Sequence, residues 1–201
     1  LCVFFYRSII SFKKFATSIL IPRFDLPMEN ASVMVSLIPF FTVIFAPLFG
    51  SLVDKVGKGT RWMITGSILV LISHLMIAFA PQGVQTYGYI AIAMLGVGYS
   101  LVPAALWPTV SKIVPEKNLG TAYSLIYWIQ NMGMLTVPIV IGLIFKSEVL
   151  TAGNQAQELS AAIHSEFVFI ALSTAAIIVS ICYAKASDKH PEMELDKPAS
   201  E

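Results

Sequence analysis

The chain has 201 residues, 56% of them hydrophobic against 12% charged, with a formal net charge of +1. A soluble domain keeps roughly a quarter of its residues charged, so this chain has too few charges to cover a water-facing surface. The near-neutral balance gives no reason to expect a nucleic-acid partner.

The opening stretch, 1–20, is long enough to cross a bilayer, but Arg7, Lys13 and Lys14 interrupt it. It is taken as a first span, with an amphipathic interfacial helix as the competing reading. A secretory signal peptide does not fit, because the basic residues sit inside the apolar run and no small-residue cleavage site follows. The chain does not start with Met, so a fragment or a processed product is the expectation. Further along, 33–53, 62–80, 87–111, 119–145 and 167–184 carry no Asp, Glu, Lys or Arg. Each reaches the roughly 18 residues that a helix rising 1.5 Å per residue needs to cross the hydrocarbon core. The expected fold is therefore an all-α membrane protein with six spans, at about 1–20, 31–53, 61–80, 87–112, 119–145 and 167–184.

Basic residues near span ends stay on the cytoplasmic side. Lys55, Lys58 and Arg61 lie between the second and third spans, Lys112 and Lys117 between the fourth and fifth, and Lys185 and Lys189 after the sixth. The opposite links hold only Arg23 and Lys146. Alternate links and the tail are thus expected in the cytoplasm. The tail, 185–201, mixes both signs of charge with two prolines and should be solvated and poorly ordered. The long outer link before the sixth span could form a short surface helix at 154–163. Cys2 and Cys182 fit no metal spacing, and neither a metal nor another cofactor is expected.

Pro39, Pro47, Pro103, Pro108 and Pro138 lie in or beside the spans. Proline removes a backbone donor and kinks a helix, which is tolerated where neighbours satisfy the freed carbonyl. The fourth span adds Gly96 and Gly98 and is the expected bent helix. Its small residues serve either close packing or a gate.

The link after the second span reads Gly50-Ser51-Leu52-Val53-Asp54-Lys55-Val56-Gly57-Lys58-Gly59. Asp54 sits near a helix C-terminus, where the backbone dipole disfavours a carboxylate. It needs compensation from Lys55, Lys58 or Arg61, or from the free amides of the helix starting near Gly120. Gly57 and Gly59 would supply a tight turn. The expected role is a cytoplasmic latch, the alternative a solvated turn that only sets topology. This run resembles the signature that major facilitator superfamily transporters carry between paired helices, departing from it only at Gly59, where a second basic residue is usual. Ala105-Leu106-Trp107-Pro108, Val114-Pro115-Glu116, Leu119-Gly120-Thr121-Ala122-Tyr123, Ile129-Gln130-Asn131-Met132-Gly133 and Ser73-His74 extend the resemblance to one subgroup of that superfamily. Its eukaryotic members are lysosomal carriers of dipeptides.

The resemblance covers about 2–183 and implies the last six helices of a twelve-helix fold, partnered by an N-terminal six-helix half and a lipid bilayer. It implies transport of a small organic solute by alternating access around a midplane site, with short peptides or other carboxylate-bearing solutes as the class. Sugars or other neutral solutes, or a scaffold that transports nothing, are the alternatives. The membrane would be the inner one in a bacterium and the lysosomal one in a eukaryote, with the C-terminus cytoplasmic. In such folds the first, second, fourth and fifth helices of each half face the cavity, and the almost purely aliphatic sixth span suits lipid.

Candidate substrate contacts follow from polar residues at helical spacing. Arg7, Ser11, Lys14 and Ser18 form one stripe on the first span. There Arg7 offers a bidentate fork for a carboxylate or snorkels to the interface, and Lys14 reaches the cavity while Lys13 points elsewhere. Tyr123, Tyr127, Gln130, Asn131 and Met134 share a face of the fifth span. Tyr99 and Trp107 line the same cavity from the fourth, unless Trp107 anchors at the interface. His74 is read as structural. No Asp or Glu is expected inside any span, and an intramembrane enzyme lacks support because no HExxH, Gly-x-Ser-x-Gly or intramembrane acid pair appears.

Overall fold

A computed structural model describes residues 6, 10–149, 154–190 and 195–198. A 3₁₀ turn at Ser11–Lys14 leads into the short helix α1 (Ala16–Phe24), and then come α2 (Met28–Val56), α3 (Gly59–Phe79) and α4 (Gln85–Ile113). A second 3₁₀ turn, Glu116–Asn118, precedes α5 (Leu119–Val149), and α6 (Gln155–Lys189) ends the bundle. Among the described residues, five helices are long and apolar enough to cross a membrane.

The first expected span falls partly outside the described residues, Arg7 and Cys2 included. Its described part is the 3₁₀ turn followed by α1, which contains Pro22 and closes at Asp25 in a left-handed conformation.

Two elements differ from expectation at their ends. The outer surface helix expected at 154–163 is the first third of α6, begun by the Asn154 side chain accepting from the Gln157 amide. The expected tail starts later, since α6 runs to Lys189 and residues 195–198 return to the bundle. Both differences have one cause. A helix does not stop where the hydrocarbon stops, and charged residues simply continue it into water.

α4 is the centre of the fold, packed along α3 on one side and α2 on the other, while α6 lies against α3 and α1. The α3–α4 contact rests on glycine. A side chain at Gly98 would meet Val70 Cγ2 at 2.7 Å and the Gly66 carbonyl oxygen at 3.0 Å, so the two backbones approach closely. This is the packing of small residues that lets membrane helices associate without a hydrophobic drive. α4 remains one continuous helix through Pro103 and Pro108. α5 packs mainly on α6 and touches α4 little, leaving Leu125, Trp128, Leu135, Ile139 and Leu143 exposed. α6 is not aliphatic on its inner face. Ser165, Phe169, Ser173, Ala176 and Ser180 recur at helical spacing and are buried.

Candidate functional site

A cavity of about 220 Å³ opens where four elements converge, lined by Tyr6, Ile10 and Lys13, by Thr42 of α2, by Tyr99, Pro103, Leu106 and Trp107 of α4, and by Gln130 of α5. Its wall is built from the first segment upward. The Tyr6 hydroxyl donates to the Tyr99 carbonyl oxygen at 2.6 Å, and the two rings meet edge to face. The Lys13 ammonium lies 5.7 Å from the Tyr99 ring centroid, a cation–π distance. Trp107 stacks on Tyr127 at 5.6 Å and contacts Tyr123 at 5.9 Å. Among the described residues the site thus offers the Lys13 cation, aromatic faces and a buried carboxamide at Gln130. Nothing in this set is a nucleophile paired with a base, and among the described residues no group of three His, Cys, Asp or Glu could hold a metal ion.

The structure brings some of the expected site residues to this cavity and leaves others outside it. Tyr99 and Gln130 line the cavity, and Tyr123 and Tyr127 stand behind Trp107. Asn131 is exposed and outside the lining. Arg7 lies outside the described residues. The two lysines exchange roles: Lys13 lines the cavity and Lys14 is exposed. The stripe through Ser11, Lys14 and Ser18 requires one continuous helix, whereas a 3₁₀ turn covers 11–14 and Phe15 separates it from α1, so Ser18 does not continue the register of Ser11 and Lys14.

One residue before the sixth expected span, Glu166 is a buried carboxylate that the expectation of none within a span did not cover. It sits on α6, fully buried, with Oε2 2.8 Å from His74 Nδ1 of α3. The uncharged run began at 167, one residue later, so a span boundary drawn at a charge excluded the charge itself. His74 also stacks on Phe169 at 5.1 Å and meets the edge of Phe12 at 5.1 Å. Arg23 of α1 is within Coulombic reach of Glu166. Its guanidinium donates to the carbonyl oxygens of Ile77 at 2.7 Å, Ala78 at 3.0 Å and Ala80, closing the C-terminus of α3. A second pair joins His164 of α6 to Glu148 of α5 at 2.6 Å, half exposed.

In the turn between α2 and α3, Gly57 has φ +68° and the left-handed position falls on Lys58, at φ +57°, and not on Gly59. Gly50 has open space around its Cα, and Asp54 and Lys55 are exposed. Among the described residues no cation lies within ion-pair distance of Asp54. The carboxylate at a helix N-terminus is instead Asp196, whose Oδ1 accepts from the Thr60 amide at 3.0 Å on α3. Nothing local in the sequence announces that pairing across 136 positions.

Comparison with known proteins adds to this geometry. The family model described as Major Facilitator Superfamily matches residues 2–201. The "Lysosomal dipeptide transporter MFSD1" of Gallus gallus is 38% identical over 144 residues, 72% of this chain and 32% of that protein. The protein of the same name from Mus musculus is 36% identical over 148 residues, 74% of this chain and 31% of its own length. The "Uncharacterized MFS-type transporter YwoD" of Bacillus subtilis is 22% identical over 128 residues, 63% of this chain and 28% of that protein. The match spans about a third of the length of these curated relatives.

Proposed function

The chain belongs to the major facilitator superfamily, and from that premise we propose that it forms the C-terminal six-helix half of a carrier that moves a small carboxylate-bearing solute by alternating access. The solute class is short peptides. Resemblance to dipeptide transporters supports it, and the cavity agrees in chemistry. The observation that carries the reading is Lys13, whose ammonium lies in a mostly apolar recess beside Tyr99, Trp107 and Gln130. A charge at membrane depth is costly and marks a substrate or ion path by default. The ammonium would hold the solute carboxylate, Gln130 would pair a peptide group, and the Trp107–Tyr127 stack would cover an apolar side chain. The other half completes the enclosure, as midplane sites between repeats require. Arg7 remains a candidate second cation for the same carboxylate.

In this reading the basic links and the tail face the cytoplasm, and the Gly50–Gly59 signature acts as the latch that holds one conformer closed, with the exposed Asp54, Lys55 and Lys58 turned toward the other half and Gly57 making the turn. Binding must favour neither conformer strongly, because differential affinity shifts populations. The test is a thermal-shift screen of the intact carrier with dipeptides, amino acids and neutral sugars, followed by flux into proteoliposomes. Dipeptides should stabilise it, and Lys13→Ala should remove that effect while Lys14→Ala keeps it. Stabilisation by neutral sugars alone would refute the carboxylate reading.

A further inference from the structure

The turn between α2 and α3 is under-supported by its own residues. Lys58 adopts a left-handed conformation that costs a residue with a side chain, and such strain persists only where the surroundings over-determine it. As the N-cap of α3, Lys58 makes no side-chain capping bond; its carbonyl oxygen accepts from the Arg61 and Trp62 amides, while the Thr60 amide finds its acceptor outside the turn. The C-terminal segment supplies both missing pieces. The Asp196 carbonyl oxygen accepts from the Lys58 amide at 2.8 Å, and its carboxylate accepts from the Thr60 amide and, at 2.9 Å and 3.1 Å, from the Thr60 hydroxyl. Lys112, at the end of α4, donates to the Lys197 carbonyl oxygen at 2.9 Å. Leu195 is buried and shares a small cavity with Val53, Ala105 and Thr109, at the ends of α2 and α4. A side chain at Gly57 would meet the Asp196 carbonyl oxygen and, at 2.9 Å, the Pro198 nitrogen. Glycine there admits the tail as well as the turn.

We propose that residues 195–198 are an intrachain strap: they cap α3, hold the signature turn in its strained form, and control how far that turn opens. The recognition has three parts, an apolar anchor at Leu195, a capping carboxylate at Asp196 and a backbone carbonyl at Lys197 held by Lys112. A carboxylate at a helix N-terminus also complements the positive end of the backbone dipole. Release of the tail would leave Lys58 without its acceptor and the first turn of α3 free to fray. The strap itself does not depend on the transport reading. Its bearing on access does.

The test is amide hydrogen exchange across 57–62 in the full-length carrier in lipid nanodiscs, with the thermal midpoint of each variant recorded. Asp196→Ala should speed exchange there by about two- to thirty-fold, the range set by loss of a helix cap. Asp196→Asn, which keeps an acceptor oxygen, should stay near wild type. Deleting 191–201 should speed exchange at least as much as Asp196→Ala, and a free peptide of residues 190–201 should restore protection. A lone cysteine at Lys55→Cys should label faster in the deletion. Unchanged exchange after deletion would overturn the strap. Faster exchange with unchanged Lys55→Cys labelling would reduce the tail to a cap and overturn its control of the turn. Neither readout uses solute flux, so a carrier without dipeptide transport counts against the proposed function alone.

Discussion

His74 and Glu166 form the most consequential side-chain pair in the bundle. Both are fully buried, and one atom of each, His74 Nε2 and Glu166 Oε1, has no hydrogen-bond partner among the described residues. Removing one partner leaves the other as an uncompensated buried group, which costs about 3–5 kcal/mol, whereas replacing both by apolar residues is often neutral. Glu166→Ala should therefore lower the thermal midpoint of the detergent-solubilised protein sharply. The double variant His74→Phe with Glu166→Leu should recover most of that loss, and a double variant as unstable as the single one would show that the pair contributes more than mutual compensation. The cation Arg23 belongs to the same neighbourhood through its reach to Glu166. Ser73 and His74 were legible as residues in a span, but their partner was not, because it lies 92 positions away.

At the scale of the element, α3 shows how a helix with weak local signals is held from outside. It has neither an acidic residue in its first turn nor a basic one in its last. Asp196 serves the N-terminus and Arg23 the C-terminus, each with the charge that opposes the backbone dipole. Along its length α3 depends on close approach to α4. Gly98→Val should force the helices apart, costing about 1–3 kcal/mol as overpacking does, read as a lower thermal midpoint, while Gly120→Val at an open surface position should change it little. In the segment Ser11–Lys14, Lys13 lines the cavity and Lys14 is exposed. An acidic probe ligand that protects Lys13 but not Lys14 from amine modification would agree with that register; the reverse pattern would contradict it.

At the scale of the whole molecule, the five long helices present large apolar side chains outward, among them Val43, Leu48, Trp128 and Leu143. A contiguous apolar exterior of this kind is stable only against lipid or another protein surface. The chain should therefore need detergent or a bilayer to stay monodisperse, and Trp128 fluorescence should be quenched by brominated lipid. A monodisperse species in plain buffer would contradict the membrane assignment. α5 packs on few neighbours within the chain, which leaves much of its apolar surface open.

Hydropathy and charge spacing along the chain were enough to read the membrane class and the approximate position of five long helices, because hydrocarbon thickness dictates a run length that any sequence must display; the superfamily came from the resemblance of the Gly50–Gly59 run to a known signature. The lysine that lines the cavity, the carboxylate buried against His74 and the tail that caps α3 were decided only in three dimensions. Each depends on how a short segment packs against its neighbours or on which distant segment returns to it. A linear pattern holds neither quantity, since both are set by packing between elements far apart in the chain.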